Sequence, residues 1–383
     1  MEVIVLAGGL GTRLRSAVRN IPKCMAPIGD RPFLEYLLRY LAMYPVEHVV
    51  FSVGYLKEQL ISFVEGREWP FSYDFAIEDE PLGTGGGIRL ALEKCRGSKV
   101  FVINGDTFFP VPLDRIPFAG PVTVALKPMK DFDRYGAVEL DGSSITAFRE
   151  KAPCAEGLIN GGIYAIDREI LDLGHLPQKF SFENEVLRPL AAMCKLRGTV
   201  LDSYFIDIGI PEDYELAGWA VPKWFAVKEA SASVIKRDAD TLFLDRDGVL
   251  NRHIPGYVRM WEEWTWMPGI LEAMKLWAGK FRHIIIVTNQ RGVGRGEMTD
   301  EDLSRIHSAM MADILQAGAR VDLVLVCTAI SDSDPRRKPN PGMFADACAL
   351  FPDITPEGSV MLGDSPSDEA FAAACGMSFV EMG

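Results

Sequence analysis

No run of apolar residues in the sequence approaches the roughly 18 that a membrane-spanning helix requires, which argues against a membrane protein. The apolar start, MEVIVLAGGL, lacks a basic leader and a small-residue cleavage site, so it reads as a buried first strand rather than a signal peptide and points to the cytoplasm. Cysteines are few and scattered: Cys24, Cys95, Cys154, Cys194, Cys327, Cys348 and Cys375 stand singly. Without CxxC or Cys/His spacing they read as reduced thiols, not as zinc ligands or redox pairs. Basic residues are outnumbered, 40 Lys and Arg against 53 Asp and Glu, and the net charge of −13 leaves no basic face to displace counterions from nucleic acid. Local capture of small phosphates is unaffected by that balance. Internal repeats and low-complexity tracts are also missing, so the two halves read as different folds joined rather than a duplication.

What is present is a globular chain too long for one core. At 383 residues it exceeds the size at which single hydrophobic cores stop growing, and two domains are expected. Short apolar runs alternate with amphipathic stretches: EVIVLA, HVVFSVG and KVFVING in the first half, then TLFLD, HIIIVTN, VDLVLV and SVMLGD in the second. That alternation implies α/β domains with parallel strands, which bind ligands at the carboxyl ends of those strands, so two sites are expected. The boundary falls in WAVPKWFAVKEASASVIKRDAD, with a proline, alternating charge and no clear strand before Thr241. The expected division is a domain over 1–221, a linker over 222–238 and a second domain over 239–383.

In the first half, LAGGLGTRL follows a strand with Gly8, Gly9 and Gly11, whose missing Cβ atoms let backbone N–H groups close around phosphate oxygens. Arg13 adds a planar guanidinium suited to a triphosphate. A tight structural turn is the competing reading of the glycines. Pro22 and Lys23 follow, and LGTGGG at 82–87 is a second turn able to bring backbone close to a base or ribose. Asp106 and Asp207 each end an apolar strand. Two such carboxylates suit a Mg²⁺ ion whose other ligands are water and nucleotide phosphate, unless each merely caps a turn.

These residues resemble the sugar-1-phosphate nucleotidyltransferase family: GGxGTRL, PK, LGTxG, GD, an EK segment and DIGxPEDY appear in the family's order across residues 1–218. The resemblance implies a Rossmann-like, mixed-sheet, glycosyltransferase-A-like domain. It implies that Gly8, Gly9, Gly11, Thr12 and Arg13 bind the triphosphate, with Leu6, Ala7, Gly83, Thr84 and Gly85 around the nucleoside. Lys23 would stand beside the α-phosphate and act with Arg13 in catalysis, while Asp106 and Asp207 hold Mg²⁺. Glu150, Lys151, Asn160 and Gly161 match the sugar-phosphate segments. Two positions depart from the pattern: the proline usual after EK is displaced to Pro153, and Cys24 replaces a second proline after PK.

In the second half, TLFLDRDGVLN ends a strand in Asp245 and Asp247, a like-charge pairing that is costly unless a cation or phosphoryl group uses it. A calcium loop or a plain turn would also fit that segment alone. VTNQRGVGRG, RRKPNPGM and VMLGDSPSDEA follow, and the ordered set resembles the haloacid dehalogenase superfamily over residues 241–378. The resemblance implies a Rossmannoid phosphatase in which Asp245 attacks phosphorus and Asp247 is the acid and base. Thr288 and Asn289 would hold the phosphoryl group and Lys338 would neutralise it. Asp364 would complete a Mg²⁺ site with Asp245 and the Asp247 carbonyl, with Asp368 in support. About 40 residues separate Asp247 from Thr288 and about 50 separate Thr288 from Lys338, too few for a large cap.

The segment NRHIPGYVRMWEEWTWMPGI is similar to the short flap of capless heptose-bisphosphate and histidinol-phosphate phosphatases, and TNQRGVGRG and RRKPNPGM are especially similar to the heptose-bisphosphate phosphatases, which makes Arg291, Arg295 and Arg337 candidates for a second substrate phosphate. Ordinary surface charge is the alternative for all three. CTAISDSDPRRK keeps one cysteine and no histidine where such relatives carry a zinc loop, so no zinc is expected. The first half looks most like heptose-1-phosphate guanylyltransferases, which implies GTP and heptose phosphates as small-molecule substrates. No residue identifies the base from sequence alone. Another sugar or nucleotide, or one half serving only as a non-catalytic binding module, remains as an alternative.

Overall fold

The computed structural model describes every residue except 10–13, 15–17, 19 and 172–175, and the side chain of Leu171. Gly11, Thr12 and Arg13 therefore lie outside the described residues. The chain divides into two compact units, Met1–Trp219 and Ala220–Gly383.

The first unit is built on a nine-stranded mixed sheet. Four parallel strands form one side, in the order Ser72–Ile77, His48–Val53, Glu2–Leu6, Lys99–Asn104. They are apolar because both faces are covered: His48–Val53 is buried at every position. Cys154–Asp167 then pairs antiparallel with Lys99–Asn104, and Val122–Phe132, Leu196–Val200, Ser144–Lys151 and Gly136–Asp141 continue the sheet. All the parallel carboxyl ends face one way, so Gly8, Ser52, Glu78 and Asp106 follow or close neighbouring strands at the same edge.

The second unit is a five-stranded, wholly parallel sheet in the order Leu323–Cys327, His283–Asn289, Thr241–Leu244, Ser359–Gly363, Ser378–Glu381. The central strand Thr241–Leu244 is buried throughout, and Asp245 is the first residue beyond it. Phe243, Ile285, Met343 and Phe371 belong to the core on one face of this sheet.

Residues 222–235, read above as linker, are helical: one helix spans Pro211–Ile235 with Pro222 inside it. Ala220, Val221, Trp224, Val227, Ser231 and Val234 are buried along one side, spaced as a helical stripe. Ser231 Oγ accepts from Trp277 Nε1 at 3.1 Å, within the second unit. The alternating charge that suggested a linker is the other face of this helix. No helix among the described residues is long and apolar enough to cross a membrane.

Candidate active sites

In the first unit, Asp106 and Asp207 are brought together by a two-strand ribbon in which Thr107–Phe108 pairs antiparallel with Ile206–Asp207. That register sets Asp207 opposite Thr107, next to Asp106. Lys23, on a short helical turn after Pro22, bridges them: Nζ donates to Asp106 Oδ2 at 2.6 Å and to Asp207 Oδ1 at 3.2 Å. Burial and then Asp106's charge push the Asp207 carboxyl above its ordinary range. Burial opposes the Lys23 charge, but Asp106 and Asp207 outweigh it and hold the ammonium's pKa up. Two carboxylates sharing one ammonium leave an excess negative charge at the edge of a cleft, a donor set that fits a hard divalent cation.

Beside them lies a cavity of about 300 Å³ lined by Leu6, Ala7, Gly8, Gly9, Lys23, Gly83, Thr84 and Asp106, all expected from the sequence. Its lining also includes Ser52, Glu78, Gly87 and Asn104, which the motif reading missed. Glu78 Oε1 accepts from Ser52 Oγ at 3.1 Å and Oε2 from Leu82 N at 2.9 Å, so its carboxylate is held in place. The only signal for Glu78 was its place just beyond a strand.

Gly85, expected at the nucleoside, instead packs under Phe180, whose ring would lie 2.2 Å from an added Cβ. A helix, Gly83–Leu92, begins at this turn. Gly87, one turn beyond Gly83, therefore shares its side and lines the cavity, whereas Gly85 faces away.

The sugar-phosphate residues are less gathered. Glu150 is exposed and paired with Arg188 at 3.4 Å, and Lys151 is exposed. Asn160 Oδ1 accepts from Gly162 N at 3.0 Å and its Nδ2 donates to Tyr164 Oη at 2.9 Å. Gly161 packs against the Phe109 ring and Gly162 against Asn104, which puts this irregular stretch of strand beside the cavity wall.

In the second unit, Lys338 Nζ donates to Asp245 Oδ1 and to Asp368 Oδ1, both at 2.5 Å. Asp368 Oδ2 accepts from Ser365 Oγ at 2.6 Å in a capping box that starts the helix Pro366–Cys375, so helix capping positions the carboxylate that steadies the lysine. Oxygens of Asp245, Asp364 and Asp368 all lie within 4.8 Å of one another. Three carboxylates around one ammonium carry excess negative charge, and burial pushes the Asp245 carboxyl up to about 7. Asp364 is raised too, by burial and by Asp368. This set also fits a divalent cation.

Asp247 points elsewhere. Its carboxylate accepts from Arg246, from Asn251 Nδ2 at 3.0 Å and from Gln290 Nε2 at 2.9 Å. Burial works against its charge, but Arg246 and these bonds hold it below its ordinary range. Arg246 is fully buried, and its Nη1 lies 3.1 Å from His307 Nε2. Burial and Arg246 lower the His307 pKa to about 4, so that nitrogen is the acceptor of a neutral ring. Neither Arg246 nor Gln290 was singled out from sequence, although both sit inside the recognised motifs.

Thr288 is buried and accepts from Gln290 Nε2 at 2.7 Å. Asn289, expected to hold the phosphoryl group, has its carboxamide joined in both senses to the Lys338 backbone, each bond 3.1 Å. The flap tryptophans pack on one another, with Trp261 and Trp264 stacked at 5.3 Å, and Trp266 Nε1 donates to Asp313 at 3.0 Å.

Gly248 closes the turn after Asp247 at φ +96°, and a Cβ there would lie 1.8 Å from Asp364 Oδ2. The backbone strain alone costs about 1–3 kcal/mol for a non-glycine residue. Gly248→Ala is therefore expected to lower the melting temperature and reduce phosphate release by at least about 10²-fold, because a misplacement of 1 Å at a reacting centre has that effect. Thermal unfolding and a phosphate assay on the same preparation check both.

Fold and sites together define two phosphorus-chemistry centres on one chain, each with a lysine set among carboxylates at the carboxyl ends of parallel strands. The nucleotidyl transferase family model matches residues 2–221, and the chain belongs to that family. The haloacid dehalogenase-like hydrolase model matches residues 188–376, and the C-terminal half carries that domain. The D-glycero-alpha-D-manno-heptose 1-phosphate guanylyltransferase of Aneurinibacillus thermoaerophilus is 46% identical over 57% of this chain and 96% of its own length. The protein of the same name from Campylobacter jejuni is 43% identical over 56% of this chain and 97% of its own. Crystalline HddC from Yersinia pseudotuberculosis, complexed with GMP-PN, is 36% identical over 57% of this chain and 97% of its own, with a TM-score of 0.52.

Proposed function

We propose that the chain catalyses two consecutive steps of nucleotide-activated heptose synthesis: removal of the 7-phosphate from D-glycero-D-manno-heptose 1,7-bisphosphate, then transfer of GMP from GTP to heptose 1-phosphate. The two relatives named as heptose 1-phosphate guanylyltransferases support the second step. The observation that carries the pairing is the complete carboxylate–lysine set in each half, Lys23 with Asp106 and Asp207, and Lys338 with Asp245, Asp364 and Asp368. The phosphatase product is then the transferase substrate. NTP as co-substrate assigns the protein to the cytoplasm, and the two activities divide between the units Met1–Trp219 and Ala220–Gly383.

In the first site, Asp106 and Asp207 would hold Mg²⁺, which when bound neutralises charge on the triphosphate. Backbone N–H groups near Gly8 and Gly9, together with Gly11, Thr12 and Arg13, cradle the phosphates. Lys23 neutralises the α-phosphate as a sugar-phosphate oxygen attacks it and pyrophosphate leaves. Lys151 and Asn160 face the sugar phosphate in this reading.

Glu78 is the base reader. Guanine presents N1–H and N2–H side by side, and a carboxylate accepts both; uracil offers one N–H flanked by two carbonyls, which a carboxylate repels. Glu78→Gln is expected to lower kcat/KM for GTP by about 10- to 100-fold, the worth of a charge-assisted hydrogen bond, and to narrow its lead over other NTPs. An unchanged NTP profile would remove Glu78 from the role.

In the second site, Asp245 attacks phosphorus as the bond to the sugar oxygen breaks; Asp247, having taken up a proton from solvent, passes it to that leaving oxygen and returns to the carboxylate. Asp247 then takes a proton from the water that hydrolyses the aspartyl-phosphate, in the carboxylate state that Arg246, Asn251 and Gln290 hold. Asp245, Asp364 and the Asp247 carbonyl would hold Mg²⁺, and Arg291 and Arg337 receive the second phosphate.

The test is to incubate the protein with Mg²⁺, heptose 1,7-bisphosphate of each anomer and one NTP at a time, following phosphate release and nucleotide-sugar mass. GDP-heptose from the α-anomer is the expected product. Phosphate release with no nucleotide sugar from any NTP would overturn the sugar or the activity assigned to the first domain.

A further inference from the structure

Two loops at the carboxyl end of the second sheet, one following Asn289 and one preceding Lys338, are tied by the paired bonds between the Asn289 carboxamide and the Lys338 backbone. Arg291 lies two residues beyond the tie on one loop and Arg337 one residue before it on the other. The tie therefore gathers two like charges, an arrangement that needs an anion.

Asp332 supplies one. Its Oδ1 accepts from Arg291 Nη2 and from Arg337 Nε, the latter at 3.0 Å. Arg295, the third candidate, stands apart and approaches Glu297 at 3.9 Å.

The three partners are unequally anchored. The arginine side chains are 20% and 15% exposed, whereas that of Asp332 is 84% exposed. One carboxylate oxygen takes both bonds, and Arg291 Nε and Arg337 Nη1 are buried with no hydrogen-bond partner among the described residues. A phosphate offers three terminal oxygens and more charge, so it can satisfy donors that Asp332 leaves unmet. An exposed carboxylate, by contrast, loses little on returning to water.

We propose that Asp332 is the resident counter-ion of a two-arginine phosphate subsite: the substrate's second phosphate displaces it on binding, and it returns to the arginines as the product leaves. The retained phosphate of the product sits on those arginines, and Asp332 competes it off. Asp332 thereby sets the affinity for both bisphosphate and product, and aids delivery of the product to the next reaction. The inference rests on the phosphatase reading of this domain.

The test compares Asp332→Asn with the unsubstituted protein. KM for heptose 1,7-bisphosphate and the inhibition constant of heptose 1-phosphate are both expected to fall about two- to fivefold relative to KM for p-nitrophenyl phosphate, the range of an exposed ion pair. A second arm needs no turnover: in the Asp245→Asn background, calorimetry with heptose 1,7-bisphosphate should show tighter binding when Asp332 is also replaced. Equal or weaker binding, or a raised KM with a lowered melting temperature, overturns the proposal and makes Asp332 a loop staple. Absence of any Asp245-dependent phosphate release would instead sink the phosphatase reading, and the calorimetric arm still decides the fate of Asp332.

Discussion

Asp245→Asn is expected to reduce phosphate release by at least about 10⁴-fold, as loss of a covalent nucleophile does, while nucleotidyl transfer from added heptose 1-phosphate continues at its original rate. The substitution keeps the shape of the side chain but removes both the attacking oxygen's charge and one of three clustered carboxylates. Lys338 keeps Asp368 as a partner at 2.5 Å, so the buried ammonium is not stranded. Asp245 is also the carboxyl that burial pushes up to about 7, which means its charge destabilises the empty site. The variant should therefore melt no lower than the original protein without Mg²⁺, and higher if that repulsion is the larger effect. Parallel assays of phosphate and nucleotide-sugar formation, with thermal unfolding, check all three. Loss of both activities would argue against two independent sites.

The second large effect is expected at Asp106. Asp106→Asn should lower nucleotidyl transfer by about 10²–10³-fold, the scale of losing one preorganised electrostatic group, and leave phosphate release intact. Lys23 would then keep Asp207 as its one charged partner, replacing an ammonium shared by two carboxylates with a single ion pair. The loss should be greatest at limiting Mg²⁺ and partly recovered as Mg²⁺ rises. Wild-type turnover at limiting Mg²⁺ would show that Asp106 holds no metal. A matched measurement of Lys23→Met separates the two contributions, because it removes the ammonium and leaves both carboxylates.

Much of each centre was legible because its residues lie where strands end. Asp106, Asp245 and Asp364 each follow an apolar run, and glycines stand in the turns beyond Leu6 and Asp247, a local pattern that a short window reveals. The helix over residues 222–235 was also written in the sequence, as a stripe at Val221, Trp224, Val227 and Val234, but alternating charge on its other face hid that periodicity. Gly85 misled for a related reason. Within LGTGGG every glycine is chemically alike, and only the start of the helix at Gly83 decides that Gly87 faces the cavity and Gly85 faces Phe180.

Sequence by itself determined the chemistry available: two parallel-strand scaffolds, the carboxylates and lysines of each, and glycine-rich turns at the strand ends, since strand periodicity and turn composition are local properties. Tertiary structure decided which groups meet. Lys23 reaches Asp106 and Asp207 across 83 and 184 residues, and the Thr107–Asp207 register, not spacing, brings the carboxylates together. The same holds for Glu78 in the cavity beside Lys23, for the Asn289 carboxamide on the Lys338 backbone and for Asp332 between Arg291 and Arg337. Each depends on where separate loops converge, and convergence follows from sheet order and packing, which no short stretch of sequence carries.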